Sequence, residues 1–525
     1  MQTLTRTAVL EGPNPLIIDV ESCTTSGFAG LQLVGNTSEL LRDGKERAKT
    51  ALEKLGYKLG HKRILINLAP ADLRKEGNHF DLPIALTLAC LTNEKAPLHQ
   101  PSDYLFAAEL SLDGQLRPIR AAVPIALAAI KSGLKGIVLA QANTPEIQAM
   151  QKLALDDQAP LQYLFFEHLK DVLLWLFEDS PPPQANYLAT QEPPAASFAD
   201  YDDMHLTDEL KQLALCCAAG RHSMLVRGSP GAGKSMFISR LPSILPPMTA
   251  AQHFQALQTY SMYQNFVPTS ILQGRPPFRH PHHSSSMQAL LGTAKEPGDI
   301  SLAHGGLLFL DEFPEFRRDL LEALREPLET GSVHISRAHK KSHWLADVQF
   351  LAACNNCPCG WFGSARHDCR CPTNRLMAYW ARLSGPILDR IDIHFNMPEP
   401  DQPAIQIFSR SEQSPKGQTQ RMRDAVERCL EFSDRRNQTL GIKANTNISA
   451  DQMPMAAACC TKDFDSLLEI LLPMRLSNRA ILRCMRVART LADRQESERI
   501  LAPHVRKAAS WQALMAARDR GETSR

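Results

Sequence analysis

Residues Gly228-Ser229-Pro230-Gly231-Ala232-Gly233-Lys234-Ser235 spell GxxxxGK[ST], a pattern that wraps a phosphate chain. Its glycines let the backbone curl until successive N–H groups converge on phosphate oxygens. The positive end of a following helix adds to the attraction. Lys234 is placed to reach the β- and γ-phosphates, and the Ser235 hydroxyl to ligate Mg²⁺. An apolar stretch, Ser223-Met224-Leu225-Val226, runs into the loop, and a helical pattern from Met236 leaves it. The alternative, a glycine-rich turn with only a structural purpose, has to account for the motifs that follow as well.

The first of these is Gly306-Leu307-Leu308-Phe309-Leu310-Asp311-Glu312. Four apolar residues in a row predict a buried parallel strand, and its C-terminal end delivers two carboxylates where open α/β sheets bind ligands. Asp311 suits Mg²⁺, and Glu312 suits orienting or deprotonating an attacking water. A second apolar run, Val348-Gln349-Phe350-Leu351-Ala352-Ala353-Cys354, ends at Asn355, a polar residue suited to sensing the γ-phosphate. In Leu388-Asp389-Arg390-Ile391-Asp392, Arg390 is a candidate arginine finger for a neighbouring subunit's nucleotide. Such a group is worth roughly 10³–10⁵ in hydrolysis rate. Taken singly, an arginine there is as readily a surface ion-pair residue. Taken in order, the motifs predict an ATP hydrolase that uses ATP and Mg²⁺.

A different chemistry is written at Cys357-Pro358-Cys359 and Cys369-Arg370-Cys371, a C-x-C-x₉-C-x-C cluster. Zinc takes four soft ligands in a tetrahedron, and two close pairs brought together by a short loop supply them. Four ordinary thiols are the bland reading. Four of the thirteen cysteines within fifteen residues argues against it. A structural metal holds an irregular insertion that lacks a core of its own, with about 10–16 kcal/mol of apparent folding free energy. Flanking Arg366, His367, Arg370 and Arg375, with Trp361 and Phe362, mix cations and aromatics as a nucleic-acid surface does, or as a subunit contact does.

The elements that must position these groups span 525 residues, enough for two or three domains with separate cores. Lys and Arg number 58 against 56 Asp and Glu, so any nucleic-acid contact has to be local. No run reaches the ~18 apolar residues of a membrane span, and the N-terminal segment lacks the apolar core of a secretion signal. Scattered cysteines fit a reducing compartment, which makes the cytoplasm the expected address. A proline-rich stretch over 179–200 predicts a linker after an N-terminal domain at 1–178. The ATPase core is expected at 201–400, with the four-cysteine insertion at about 355–375, and a helical region at 401–525.

The segment Arg275-Pro276-Pro277-Phe278-Arg279-His280-Pro281-His282-His283-Ser284 resembles an RPFRxPHHTxS signature found in one branch of the AAA+ ATPases. Ser301-Leu302-Ala303-His304-Gly305-Gly306 and Leu383-Ser384-Gly385-Pro386-Ile387-Leu388-Asp389-Arg390-Ile391-Asp392 complete the likeness. Together these motifs resemble the magnesium-chelatase-like ComM (YifB) family, and the similarity runs nearly the length of the chain. The implied fold is α/β: an AAA+ P-loop core with a helical lid and a zinc-binding insertion. It would follow an α+β Lon-protease-like (ribosomal S5-like) domain, to which Arg63–Asp81 and Leu82-Pro83-Ile84-Ala85 correspond. The resemblance implies a hexameric, ATP-driven DNA motor that promotes branch migration during natural transformation, acting on single-stranded and branched DNA. It makes Arg479, in Leu476-Ser477-Asn478-Arg479-Ala480, the lid's second sensor. It also implies a hairpin projecting into a central channel. Gly331–Lys341 is that segment, with Arg337, Lys340 and Lys341 as phosphate contacts or as a solvated tip.

Several readings are narrower. His280, His282 and His283 lack partners spaced for a metal and suit contact with DNA or a subunit. Phe198–His205 departs from the family's usual VxGQ-type segment near the adenine, so base contacts there differ. A Lon-type Ser–Lys dyad is not expected to function, because His79 stands at the nucleophile position and Val123 near the lysine position. Two rivals remain: a protein-remodelling ATPase, and a metal-insertion ATPase of the magnesium-chelatase type. Against the second, true chelatase ATPase subunits lack both a Lon-like domain and the four-cysteine insertion.

Overall fold

Two β-sheets of different construction carry the chain. The computed structural model describes residues 2–60, 62–153, 161–182, 199–337, 340–399 and 417–512. Most of the expected linker, 183–198, and the stretch 400–416 lie outside the described residues, as do the side chains of Arg337, Lys340 and Lys341. Among the described residues, no helix is long and apolar enough to cross a membrane.

The first sheet begins with a long hairpin, β1 (Gln2–Glu11) and β2 (Asn14–Thr25), paired from Gln2↔Cys23 to Glu11↔Asn14. Gly12 opens the two-residue turn at φ +58°, a conformation that this hairpin geometry demands of its first turn residue. Strands β3 (Gly30–Val34), β4 (Arg63–Ala69) and β5 (Tyr104–Ala107) join it, while β6 (Glu109–Leu110) and β7 (Leu116–Arg117) form a separate short pair. With β8 (Gly136–Ala140) and β9 (Gln162–Phe166) the order is β3-β4-β2-β1-β5-β8-β9. It is antiparallel around β2 and parallel from β1 to β9. The helix Asp81–Thr92 packs on β1 and β2 and is buried from Asp81 to Leu91, as expected of a helix apolar on every side. His79, just before it, is half-buried and hydrogen-bonded through Nε2 to the Ala8 carbonyl at 2.7 Å. Burial draws its titration down to about 4, so the imidazole is a neutral structural group.

The second sheet is wholly parallel. Its strands are β10 (Met224–Arg227), β11 (Phe278–Arg279), β12 (Leu307–Leu310), β15 (Gln349–Cys354) and β16 (Ile393–Asn396), in the order β11-β12-β15-β10-β16. Unbroken apolar runs suit strands covered on both faces, and every residue of β12 and β15 is buried. A hairpin, β13 (Ser332–Arg337) and β14 (Lys340–Leu345), lies between β12 and β15 in the chain, in the segment where the resemblance implies one. The C-terminal helices Gln418–Leu440, Asn478–Arg494 and Ala502–Ser510 share one core with the helix Asp208–Gly220 and with β10. Inside it Asp493, fully buried, is held by Arg436 at 2.6 Å, Arg489 at 3.0 Å and Asn445 at 2.8 Å.

The two sheets meet through the helices Ala122–Lys131 and Ala250–Tyr263. Ala121 and Val123 donate their N–H groups to the Ser261 carbonyl and hydroxyl oxygens at 2.6 and 3.2 Å. Val123 is thus a buried contact residue of this seam. Beside it Glu146 accepts from Asn143 Nδ2 at 2.6 Å and from the Ser261 hydroxyl. Burial dominates over these hydrogen bonds and raises its carboxyl from 4.5 to about 7. A folded-state value above the unfolded one means the stability is fully present below about pH 4.5 and is lost as pH rises through about 7. Glu146→Gln should therefore be more stable than the parent at pH 8, by up to about 3 kcal/mol, and nearly equal to it at pH 4.5. Urea denaturation at the two pH values checks this; equal midpoint shifts at both would contradict it.

Candidate active site

The parallel order of the second sheet sets the C-terminal ends of β12, β15 and β10 side by side, and each end carries one of the predicted groups. After β10 the chain turns through Gly228–Gly233, with Gly231 at φ +76° and Gly233 at φ +88°, into the helix Lys234–Arg240. Both values belong to the left-handed region that glycine enters without strain. The loop is anchored where Gly228 donates its N–H to the Cys354 carbonyl at 3.3 Å. Lys234, only 7% exposed, donates from Nζ to the Gly228 and Ser229 carbonyls, both at 2.9 Å, and to Asn355 Oδ1 at 3.0 Å. Burial pulls the ammonium's titration downward, while Cys354 and Asp311 work the other way.

At the next residue, Ser235 Oγ donates to Asp311 Oδ2 at 2.5 Å. A hydroxyl and a carboxylate oxygen in direct contact are hard donors of the kind Mg²⁺ prefers, with room left for water and phosphate oxygens. The loop, Ser235 and Asp311 therefore fit a nucleotide triphosphate with its magnesium. Asp311 Oδ1 accepts the N–H of Glu312 at 2.9 Å. Glu312 itself has φ +51°, a strained conformation for a residue with a side chain. Its Oε2 lies 3.0 Å from His283 Nδ1.

That last contact was not legible in the spacing. The expectation for His280, His282 and His283 was contact with DNA or a subunit. Strand β11 lies alongside β12, Phe278 opposite Leu307, so the segment after it returns to the end of the acidic strand. His280 stacks on Phe309 with ring centroids 4.5 Å apart, and His283 reaches Glu312. Arg279 fastens the segment by donating to Asp299 from Nε at 2.9 Å. A sequence signal existed in the segment itself, but its direction depended on the strand order.

Arg390 is elsewhere in the sheet. It precedes β16, and its carbonyl accepts from Ser223, the residue just before β10, at 3.0 Å. In a parallel sheet this is the edge opposite the phosphate loop. Its guanidinium pairs with Glu329 and donates to the Pro386 carbonyl at 2.7 Å. Arg479 is exposed on the first turn of the helix Asn478–Arg494. One turn further, Arg483 is buried and lies 3.6 Å from Asp389, beside Arg390. Residues 201–203, in the segment that departs from the family pattern, link the two halves. The Tyr201 hydroxyl donates to the Phe237 carbonyl at 2.9 Å, and Asp203 grips Arg240 at 2.5 Å. Asp202 accepts from the N–H groups of Gly417 and Thr419 at 2.9 and 2.7 Å. The helix after the phosphate loop is thereby tied to the first turn of Gln418–Leu440.

The cysteines do come together. The Sγ atoms of Cys357, Cys359, Cys369 and Cys371 all lie within 4.8 Å of one another, with 3.2 Å for Cys357–Cys359 and 3.7 Å from each of these to Cys369. Four thiolates on one zinc at ~2.3 Å stand about 3.8 Å apart, so the set fits the metal. Partial burial works upward on Cys359, yet N–H donors of Trp361 and Arg370 and the neighbouring thiols draw it down to about 6. All thirteen cysteines of the chain are free thiols.

A parallel sheet in this strand order, with the phosphate loop, the acidic strand and Asn355 converging at one end, defines a magnesium-chelatase-like AAA+ ATPase. Family models agree along the chain. "Magnesium chelatase, subunit ChlI" matches residues 200–405, "Subunit ChlI of Mg-chelatase" matches 20–143, and "Magnesium chelatase, subunit ChlI C-terminal" matches 416–512. The competence protein ComM of Haemophilus influenzae is 35% identical over 506 residues, 95% of each chain. The YifB proteins of Salmonella typhimurium and Escherichia coli are each 34% identical, over 97% and 98% of this chain and 96% and 97% of their own. This chain belongs to the ComM (YifB) family.

Two outcomes follow for the site. Lys234→Ala should abolish binding of a fluorescent ATP analogue, whereas Glu312→Gln should bind it and hydrolyse ATP at least ~100-fold more slowly, the usual weight of a positioned general base. Unimpaired turnover by Glu312→Gln would remove that carboxylate from the chemistry. The purified, reduced protein should contain about one zinc per chain, and Cys357→Ser or Cys371→Ser should release it. Elemental analysis that finds no zinc in the folded parent would leave the cluster as plain thiols.

Proposed function

We propose that this chain is an ATP-driven motor that moves branch points in DNA, acting in the cytoplasm as a six-membered ring of identical subunits. The phosphate loop and Lys234 hold the triphosphate, Ser235 and Asp311 hold Mg²⁺, and Asn355 senses the γ-phosphate. Magnesium, when bound, neutralises charge on the phosphate oxygens. Glu312 orients the attacking water and accepts its proton, Arg390 serves the nucleotide of the adjacent subunit, and Arg479 reports on it from the lid. The N-terminal body is read as a Lon-protease-like domain without the Ser–Lys dyad, serving DNA binding or ring organisation. The four-cysteine insertion is read as a zinc site.

The observation that carries the ring is the position of Arg390. It lies at the sheet edge opposite its own phosphate loop, where it cannot serve that loop without a change of fold but suits service to a neighbour. DNA as substrate is supported by similarity to a protein named for competence over 95% of both chains, and by the basic residues flanking the β13–β14 turn. We place its role in the integration of incoming single-stranded DNA during natural transformation.

Purified protein given a labelled four-way junction, Mg²⁺ and ATP should resolve it to duplex products. Arg390→Ala should bind nucleotide and hydrolyse it at least ~10³-fold more slowly, and mixing it with Glu312→Gln subunits should restore part of the activity by pairing intact half-sites. DNA affinity should fall steeply with salt, by about 0.7–0.9 in log–log slope per phosphate contact. Replacing Arg337, Lys340 and Lys341 with alanine should flatten that slope. An active ATPase that leaves both four-way junctions and three-strand joints untouched would sink the DNA reading. Stimulation by a protein partner alone would then favour remodelling of protein.

A further inference from the structure

The four-cysteine loop does not stand apart from the nucleotide site. It begins two residues after Asn355, the side chain that accepts Lys234. Its first cysteine, Cys357, is fully buried and accepts the Phe362 N–H at 3.3 Å, while Asn356 Nδ2 donates to the Phe362 carbonyl at 3.0 Å. These bonds close the 356–362 turn, which lies against the phosphate loop at Pro230. Gly360, at φ +88°, lies so close to Pro230 that a methyl group on it would sit 2.3 Å from Cγ and 2.6 Å from Cδ of the ring. No side chain fits there.

A second tie comes from the far side. Glu399, three residues past β16, accepts from Ser229 Oγ at 2.5 Å through Oε1. Its other oxygen accepts the Ala365 N–H at 3.3 Å, and the Ser364 hydroxyl also reaches the carboxylate. One carboxylate thus joins the variable part of the phosphate loop, Ser229, to the turn between the two cysteine pairs. Ser229 and Pro230 are two of the four loop positions that the GxxxxGK[ST] pattern leaves open. Here they carry the contacts.

We propose that the four-cysteine loop is a brace for the phosphate-binding loop, with Glu399 and Gly360 as the positioning residues through which it acts. A phosphate cradle works only while its N–H groups stay convergent, and a glycine-rich turn is the part of the chain least able to hold a shape alone. Closing four thiolates on one metal fixes the 357–371 turn, and the turn fixes Ser229 and Pro230. Loss of the metal should then be felt as loss of nucleotide affinity, before any effect on DNA.

This inference rests on the zinc and nucleotide readings above, and the test separates them. Full-length parent protein is assayed for zinc per chain and for binding of a fluorescent ATP analogue, which decides those two readings directly. Glu399→Ala and Gly360→Ala are then assayed in the same way. The expected result is zinc content equal to the parent, with affinity for the analogue about tenfold weaker, and KM for ATP raised more than kcat is lowered. Glu399→Gln, which keeps an acceptor for Ser229, should recover part of the affinity. Ala365→Pro, which removes the N–H that Glu399 accepts, should reproduce the weaker binding without touching the phosphate loop. Stripping zinc from the parent with a chelator should weaken the analogue by at least as much as Glu399→Ala does. If a zinc-loaded, folded Glu399→Ala and Ala365→Pro bind the analogue as tightly as the parent, the brace is wrong. Unchanged affinity in chelated, zinc-free parent would overturn it equally.

Discussion

A buried ammonium group sets the terms for the nucleotide site. Lys234 is taken out of water, and a charge in that position is tolerated only with close polar partners. Its three acceptors come from two segments that are remote in sequence, the loop carbonyls of 228–229 and the side chain of Asn355. They meet because β10 and β15 are parallel neighbours, Arg227 opposite Cys354, so both strands end at the same level. Slip that register and the lysine loses Asn355 as well as the Gly228–Cys354 main-chain bond. The apolar sides of β10, β12 and β15, all in sealed cores, supply the energy that holds the register.

Around this point the molecule is tied in two directions. Toward the C-terminal helices, Tyr201, Asp202 and Asp203 connect the helix after the phosphate loop with the first turn of Gln418–Leu440. Deeper in the same core, Asp493 between two arginines and an asparagine locks three segments whose apolar faces alone would leave their angle loosely defined. A buried network of this kind is costly unless every member is satisfied. Toward the N-terminal sheet, Ser261 is shared by Ala121, Val123 and Glu146, so a motion of the helix Ala250–Tyr263 is felt on both sides of the seam. A change at the phosphate loop has a direct mechanical route to the C-terminal helices.

The placement of two charged groups bears on how hydrolysis is restrained. Glu312 is held by His283 and is wound into a left-handed conformation at the strand end. Arg390 is held by Glu329 of its own chain. Both groups are engaged in local pairs that, under the proposed function, would be exchanged for contacts with nucleotide. Such exchange costs little for partly exposed pairs, because solvent screens them. In the proposed ring, only a small electrostatic barrier would therefore stand at either residue.

Sequence alone determined the identity of most chemical groups and the kind of element each sits on. Glycine spacing demands a curled loop whatever surrounds it. Runs such as Leu307–Leu310 and Gln349–Cys354 are too apolar to be anything but buried, and the C-terminal helices are written in their periodicity. The cysteine pairs were legible for the same local reason, that four thiols so close in chain cannot be far apart in space. Tertiary structure decided the rest. The direction of the histidine segment, the edge on which Arg390 lies, the part of Glu399 in holding Ser229 and the sharing of Ser261 by two bodies all depend on strand order and on contacts between segments separated in the chain. Periodicity and spacing describe what a residue does to its neighbours in chain. Which remote partner meets it is settled only when the sheets close, because that choice follows from the burial of whole faces rather than from any single motif.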